Sequence, residues 1–206
     1  RTDYTLRIEG ARGTQPVAIA LIEAKKEDDA PGKGLQQAKG YQLCDRFHVP
    51  FVFCTNGHLY VEFDRTTGIT THPKPLSDFP TPDELRARYE AYIGFSLDSD
   101  AAKPLVTPYY NGESQRRYYQ DAAIRAALEK IGRCHTNGEA ARVLLTLATG
   151  AGKTFIAVNL IKRLADAGEM VVGQMRKVLF LCDRDELRTQ ATGDFKNVFG
   201  DNAAAV

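Results

Sequence analysis

The sequence predicts an α/β protein made of two units: a mixed sheet flanked by helices, then the opening of a strand–loop–helix unit. Three observations predict this. Val17–Ala24 (VAIALIEA) is an almost wholly apolar, partly β-branched run that ends abruptly in charge, as a strand buried on both faces does. Two β-rich runs, Pro50–Thr55 and His58–Phe63, flank Asn56-Gly57, the strongest short-range hairpin signal. Leu144–Val158 (LLTLATGAGKTFIAV) is an apolar run that enters a glycine-rich turn, meets Gly-Lys-Thr and leaves with helical spacing.

Along the chain, Tyr4–Glu9 alternates and reads as a strand, and Gly10–Gly13 turns it. Val17–Ala24 follows as the buried strand. Leu35–Phe47 has helical spacing despite Gly40, and the Asn-Gly hairpin comes next. The first unit is therefore an α/β sheet of about four strands. Thr70–Pro82 is rich in Pro, Thr and Ser and reads as loop, Pro82–Tyr92 as a short helix, and Ser96–Gly112, with Pro104 and Pro108, again as loop. We expect one domain over residues 1–100, a linker over 101–113 and a second domain over 114–206. In the second, Ser114–Ile131 reads as helix, Arg142–Ala148 as strand, Lys153–Ala167 as helix, Lys177–Cys182 as strand and Arg184–Lys196 as helix.

The 206 residues carry a formal net charge of +1, which argues neither for nor against nucleic acid, because a basic channel can hide inside a neutral total. Cys44, Cys54, Cys134 and Cys182 form no CxxC pair and lie near no His at finger spacing, so zinc is not expected. Scattered thiols fit a reducing cytoplasm, and no apolar run reaches membrane-spanning length. The chain starts at Arg1 rather than Met and stops soon after a helix-like stretch, so it reads as a fragment cut at both ends.

The glycine-rich turn has the chemistry of a phosphate grip. Backbone N–H groups of Thr149, Gly150, Ala151 and Gly152 can curl around an anion, and the following helix adds its positive dipole end. Lys153 supplies charge for the β and γ phosphates of ATP, and Thr154 a hydroxyl for Mg²⁺. The fit to GxxxxGK[ST] is incomplete, since Leu147 holds the first Gly position; TGxGKT is the helicase-like variant. Upstream, Arg117-Tyr-Tyr-Gln120 places a Gln on a helix about thirty residues before the loop, where an amide can read adenine by donating and accepting at once. Downstream, Val178–Gln190 admits two readings. Asp183, at the end of an apolar strand, is one candidate Mg²⁺ carboxylate. Alternatively this is the strand and helix that grip a nucleic-acid backbone, with Arg184 and Arg188 as contacts. The second fits better, because helicase motors bring the Mg²⁺ carboxylate on a later strand.

The carboxylates near the start suggest other chemistry. On a strand Glu23 and Lys25 point the same way, so a carboxylate and an ammonium emerge side by side from a buried strand end, and Asp3 joins them if the two strands are neighbours. Two carboxylates can hold Mg²⁺, which polarises a phosphodiester and acidifies a bound water, while the lysine stabilises developing negative charge. The bland alternative is a strand end with solvated charges. Gln37 and Tyr41, four apart on the predicted helix, share a face and can serve the same site or pack as a half-buried helix face.

Together these pieces resemble the motor (restriction) subunit of type I restriction–modification enzymes. The resemblance rests on Asp3, ALIEAKKED (Ala20–Asp28), QAKGY (Gln37–Tyr41), TNGH (Thr55–His58), YYQDAAI (Tyr118–Ile124), LATGAGKT (Leu147–Thr154) and CDRDELRTQA (Cys182–Ala191), in the family's order over nearly the whole chain. It implies a PD-(D/E)xK nuclease domain followed by the truncated beginning of a RecA-like superfamily 2 translocase domain. It also implies Mg²⁺-dependent cleavage of double-stranded DNA coupled to ATP-driven translocation, with methyltransferase and specificity subunits as partners and no membrane. Asp3 and Glu23 would be metal ligands, Lys25 the catalytic lysine, and Gln37 and Tyr41 the accessory pair. Several family features are missing: Thr2 replaces the Pro before Asp3, the helix before Asp3 is absent, and no DEAH-like box, second RecA-like domain or arginine finger is present. The rivals are a helicase–nuclease fusion of DNA repair or phage defence, a non-catalytic nuclease-like DNA-binding module, and a simple P-loop kinase or small-molecule ATPase.

Overall fold

The computed structural model describes residues 3–11, 13–33, 35, 47–108, 117–168, 177–183 and 185–204. Gln37, Tyr41, Cys44 and Arg184 therefore lie outside the described residues, with most of the helix predicted over 35–47. Strands β1 (Tyr4–Ile8), β2 (Val17–Ala24), β3 (Phe51–Thr55) and β4 (Leu59–Asp64) lie side by side in chain order. β2 and β3 are parallel; β1–β2 and β3–β4 are antiparallel. Two short strands, β5 (Ile69–Thr70) and β6 (Lys74–Pro75), pair with β4 inside a stretch expected as loop, so the sheet has six strands instead of about four.

β2 carries one extra residue against β1. Leu6 pairs with Ala20 and the next residue, Arg7, pairs with Ala18, which leaves Ile19 bulged. A bulge reverses the alternation of a strand beyond it. Val17, Ile19 and Ala20 thus belong to one buried cluster, while Ala18 and Leu21 belong to the other. From there the ladder with β3 is regular. Leu21 and Glu23 sit opposite Val52 and Cys54, and Ala20 and Ile22 sit opposite Phe51 and Phe53. The smaller cluster (Leu21, Leu35, Val49, Val52, Cys54, Val61, Phe63, with Phe47 against it) covers the face towards which Glu23 projects. The larger one covers the opposite face.

Helix α1 (Pro82–Ile93) packs into the larger cluster. Thr81 and Glu84 form a reciprocal capping box, Pro82 opens the first turn and Gly94 ends the helix. Leu85, Tyr89 and Ile93, four apart, make the buried face. Arg88 beside them pairs with Glu62 and with Asp64 (3.5 Å), and its guanidinium stands 4.2 Å from the centre of the Phe51 ring.

The stretch expected as loop and linker is partly helical and buried. Ala101 and Ala102 lie in a 3₁₀ turn, and Leu105 and Val106 in the short α2 (Lys103–Val106), where Pro104 is tolerated because it falls in the first turn. Helices α3 (Tyr118–Asn137) and α4 (Lys153–Asp166) complete this core through Ile124, Leu128 and Ile156. The buried Arg163 of α4 donates to the carbonyls of Leu105 (2.6 Å) and Thr107 (3.4 Å). Gln15, in the β1–β2 connection, donates from its backbone to Val106 (2.8 Å) and from its side chain to Leu105 (3.0 Å). One apolar cluster therefore runs from β1 to α4.

The two strands expected in the second unit are not formed among the described residues. Residues 139–148 and 177–182 have no ladder partner, and Leu144, Leu179 and Leu181 are 90%, 75% and 79% exposed. A buried parallel strand exists only when neighbours satisfy its backbone, and none flanks these runs here. Helix α5 (Asp185–Phe199) does form, and Phe195 meets the Phe180 ring at 5.4 Å.

A buried polar cluster joins α3 to the sheet. The Glu129 carboxylate accepts from the Tyr89 hydroxyl (2.6 Å) and pairs with His48 Nε2 (2.7 Å), and Arg125 Nε lies 3.8 Å away. The Arg125 guanidinium also donates to the carbonyls of Phe47 and His48 (2.8 Å to the latter). His48 has φ 50, a left-handed conformation that costs a non-glycine residue energy and that these contacts hold. Burial and the adjacent carboxylate push the Tyr89 phenol well above its ordinary pKa, so it stays a donor.

Two stability predictions follow from this packing. Glu129→Ala leaves three donors facing a hole and should destabilise the fold by about 3–5 kcal/mol, read by urea denaturation. Gly132→Ala would ordinarily gain about 1 kcal/mol in a helix. Here the new Cβ would lie 2.6 Å from the buried Phe95 ring and 2.9 Å from the Ala101 carbonyl oxygen. The substitution should instead cost about 1–3 kcal/mol; a rise in unfolding midpoint would show that this contact yields.

Candidate active site

The charged end of β2 is built by strand pairing. Tyr4 pairs with Ile22, so the antiparallel register brings Asp3 opposite Glu23. The Asp3 carboxylate accepts the Ala24 N–H at 2.8 Å. Lys25 follows the strand; its N–H donates to the Thr55 carbonyl at 2.7 Å, which extends the β2–β3 alignment by one residue. Its ammonium lies 2.6 Å from Glu23 Oε1, and both side chains are half-buried. The hydrogen bond that Lys25 donates to Glu23 raises the Lys25 pKa, aided by the negative field of Glu23 and Asp3 against a smaller opposing effect of burial. Lys25 is therefore an ammonium at any physiological pH.

Asp3 and Glu23 supply only carboxylate oxygens, the donor set of a hard divalent cation such as Mg²⁺, which takes one or two carboxylates and completes its shell with water and phosphate oxygens. Among the described residues no group of three or more His, Cys, Asp or Glu side chains is gathered for a metal. Leu35 and Phe47, which bracket the undescribed Gln37 and Tyr41, both pack on the sheet face that carries Glu23.

The phosphate loop lies at the other end of the core. Gly150 and Gly152 have φ 77 and 80, a left-handed backbone that favours glycine at both positions, and a Cβ on Gly152 would displace the Gln120 amide, whose Nε2 would lie 2.5 Å away. Helix α4 starts at Lys153, and its first helical bond runs from Ile156 N–H to Gly152 O (3.0 Å). The amides of Lys153, Thr154 and Phe155 thus precede any intrahelical partner. The Lys153 ammonium donates to the carbonyls of Leu147 (2.8 Å) and Ala148 (3.1 Å), at the mouth of the loop. The exposed Thr149 and Gly150 and the half-buried Ala151 form the curl, where Ala151 N–H bonds Ala148 O (3.2 Å). These amides and the ammonium fit a polyphosphate.

Gln120 is buried at 6% exposure. Its carbonyl accepts the Arg117 N–H (3.3 Å) and its amide donates to Ala151 O (3.1 Å). In this structure it therefore ties α3 to the phosphate loop, a role that a reading for adenine alone does not contain. Arg117 is exposed and donates to the Tyr119 hydroxyl (2.8 Å), which raises its pKa. Arg188 is exposed on α5 with Asp185 at 3.3 Å. Two features escaped the sequence reading: the link from Gln120 to the loop and the network around Glu129. The pairing of a buried-face Glu with an Arg four residues before it in α3 is the one signal that marked the second.

No helix among the described residues is long and apolar enough to cross a membrane. The family described as "Type III restriction enzyme, res subunit" matches residues 113–206. The endonuclease subunit of the type I restriction enzyme EcoAI from Escherichia coli is 35% identical over 190 residues, 89% of this chain and 22% of that protein. The EcoKI endonuclease subunit from E. coli K12 is 30% identical over 161 residues, 74% of this chain and 12% of that protein. A fragment structure described as an HsdR subunit of a type I restriction enzyme, from Vibrio vulnificus YJ016, superposes with a TM-score of 0.58 at 34% identity, over 81% of this chain and 32% of that one. The chain thus spans about a fifth or less of the curated relatives it matches. On sequence and fold together, it is homologous to the endonuclease subunits of type I restriction enzymes.

Proposed function

We propose that this chain carries the PD-(D/E)xK nuclease and the first part of the RecA-like motor of a type I restriction endonuclease, which cleaves duplex DNA with Mg²⁺ while ATP hydrolysis drives translocation. The observation that carries the reading is the bond from Ala24 N–H to Asp3, which sets a second carboxylate beside the Glu23–Lys25 pair at the end of a buried strand. In this reading residues 1–100 form the nuclease, 101–113 join it to the motor and 114–206 open the motor. Methyltransferase and specificity subunits of the same cytoplasmic system supply methylation and site recognition.

Asp3 and Glu23 would hold the cation, and Mg²⁺ there would supply polarisation of the scissile phosphate and a more acidic bound water. In this reading Lys25 does the remaining electrostatic work. Its ammonium, fixed by Glu23 and kept protonated, faces the negative charge that grows on the phosphate oxygens as water attacks. Gln37 and Tyr41 are assigned as accessory residues by resemblance. At the other site ATP supplies the free energy of translocation. The amides opening α4 and the loop of Thr149–Gly152 cradle its phosphates, Lys153 exchanges its two carbonyl contacts for phosphate oxygens, and Thr154 offers its hydroxyl to Mg²⁺. Arg117 and Gln120 lie at the adenine end, and Arg184 and Arg188 contact the DNA backbone.

The test uses the full-length protein with its partner subunits on unmethylated circular DNA. Lys25→Ala should lower cleavage by at least about 100-fold and leave ATPase unchanged, whereas Lys153→Ala should abolish ATPase and cleavage together. Cleavage at the parental rate in Lys25→Ala would remove catalysis from this strand end and leave a nuclease-shaped DNA-binding module on a motor.

A further inference from the structure

The hairpin turn after β3 does more than reverse the chain. The Asn56 side-chain carbonyl accepts the N–H groups of His58 (3.2 Å) and Leu59 (2.9 Å), which closes the turn. Its amide nitrogen donates to the carbonyls of Glu27 (3.2 Å) and Asp29 (3.0 Å), which belong to the segment just after Lys25. Two donors and two acceptor sites are the whole capacity of a side-chain amide, and all are used. On either side, Thr55 O accepts the Lys25 N–H at 2.7 Å, and His58 Nε2 lies 2.6 Å from Glu27 Oε1. The β2–β3 ladder ends at Ala24 and Thr55. Lys25 therefore stands between the last rung of the sheet and a second anchor supplied by Asn56.

We infer that Asn56 is a positioning residue for the nuclease site: it clamps residues 27–29 to the hairpin turn and so holds Lys25 beside Glu23. The inference rests on the nuclease reading above. The turn needs only the acceptor oxygen, which Asp provides equally well through the same side-chain-to-backbone turn. The two donors serve only the clamp, because a strand end without a partner frays. Asn56→Asp therefore separates the two jobs. It keeps the turn, loses both donors and sets a carboxylate against two carbonyl oxygens.

The experiment compares Asn56→Asp with the parent in the full-length protein and its partner subunits, reading hydrogen exchange by mass spectrometry, Mg²⁺-dependent cleavage and ATPase. Peptides covering residues 24–30 should exchange faster while those covering 57–63 keep their protection. Cleavage should fall about 10–100-fold, with more Mg²⁺ needed for half-maximal rate, and ATPase should not change. If the 57–63 peptides also lose protection, Asn56→Ser is read instead, since its hydroxyl caps the turn but is too short to reach residues 27–29. Parental cleavage and metal dependence in a folded variant, while Lys25→Ala abolishes cleavage, would overturn the clamp and leave the nuclease reading standing. Lost cleavage with unchanged exchange at 24–30 would also overturn it, because Asn56 would then act by another route. Parental cleavage in Lys25→Ala would overturn the nuclease reading itself.

Discussion

Ile19 is an extra residue in β2 opposite β1, and the strand's alternation reverses there. In an unbroken strand Val17, Ile19, Leu21 and Glu23 would share one face. Val17 and Ile19 lie under the helices, so a regular strand would drive Glu23 into that apolar layer. The bulge instead lets the first half of β2 feed the helical core and the second half feed the smaller cluster, with Glu23 emerging at its end. The side of the sheet on which the Glu23–Lys25 pair emerges depends on that one-residue slip.

Helix α3 is the other organising element. Near its start Gln120 holds the phosphate loop, and nine residues on Glu129 holds Tyr89 and His48. At about 1.5 Å rise per residue the two grips are some 13 Å apart on one rod. Arg125, between them, grips the backbone that leads into β3. Helix α3 is thus one rigid element that touches both the phosphate loop and the backbone entering β3, the strand paired with the Glu23 end of β2.

Much of the fold was legible because it is written in local patterns. The period-2 and apolar runs marked β1–β4, the Asn-Gly pair marked the hairpin, and Pro82–Tyr92 read as the helix that α1 forms. That Glu23 and Lys25 leave the strand on one side follows from alternation alone. The bulge was not legible, since an extra residue in an apolar run changes no periodicity that a reader can see. Nor was the burial of 101–106, because Pro104 and its neighbours carry loop composition and their helical form depends on Arg163 and Gln15 from distant segments. The opposite failure concerns 142–148 and 177–182. Their composition is that of strands, but a strand is a property of its neighbours as much as of itself.

The continuity of the larger apolar cluster has a practical meaning for taking the protein apart. A piece ending at residue 100 would lose Leu105, Ile124 and Leu128 from the buried cluster that they share with Tyr89, Ile93 and Phe95. It would also strip Tyr89 and His48 of their shared carboxylate. Such a piece would carry an apolar patch of the kind that drives self-association. The smallest sensible unit for expression and crystallisation therefore runs from β1 through α4, whatever boundary the chemistry of the two sites suggests.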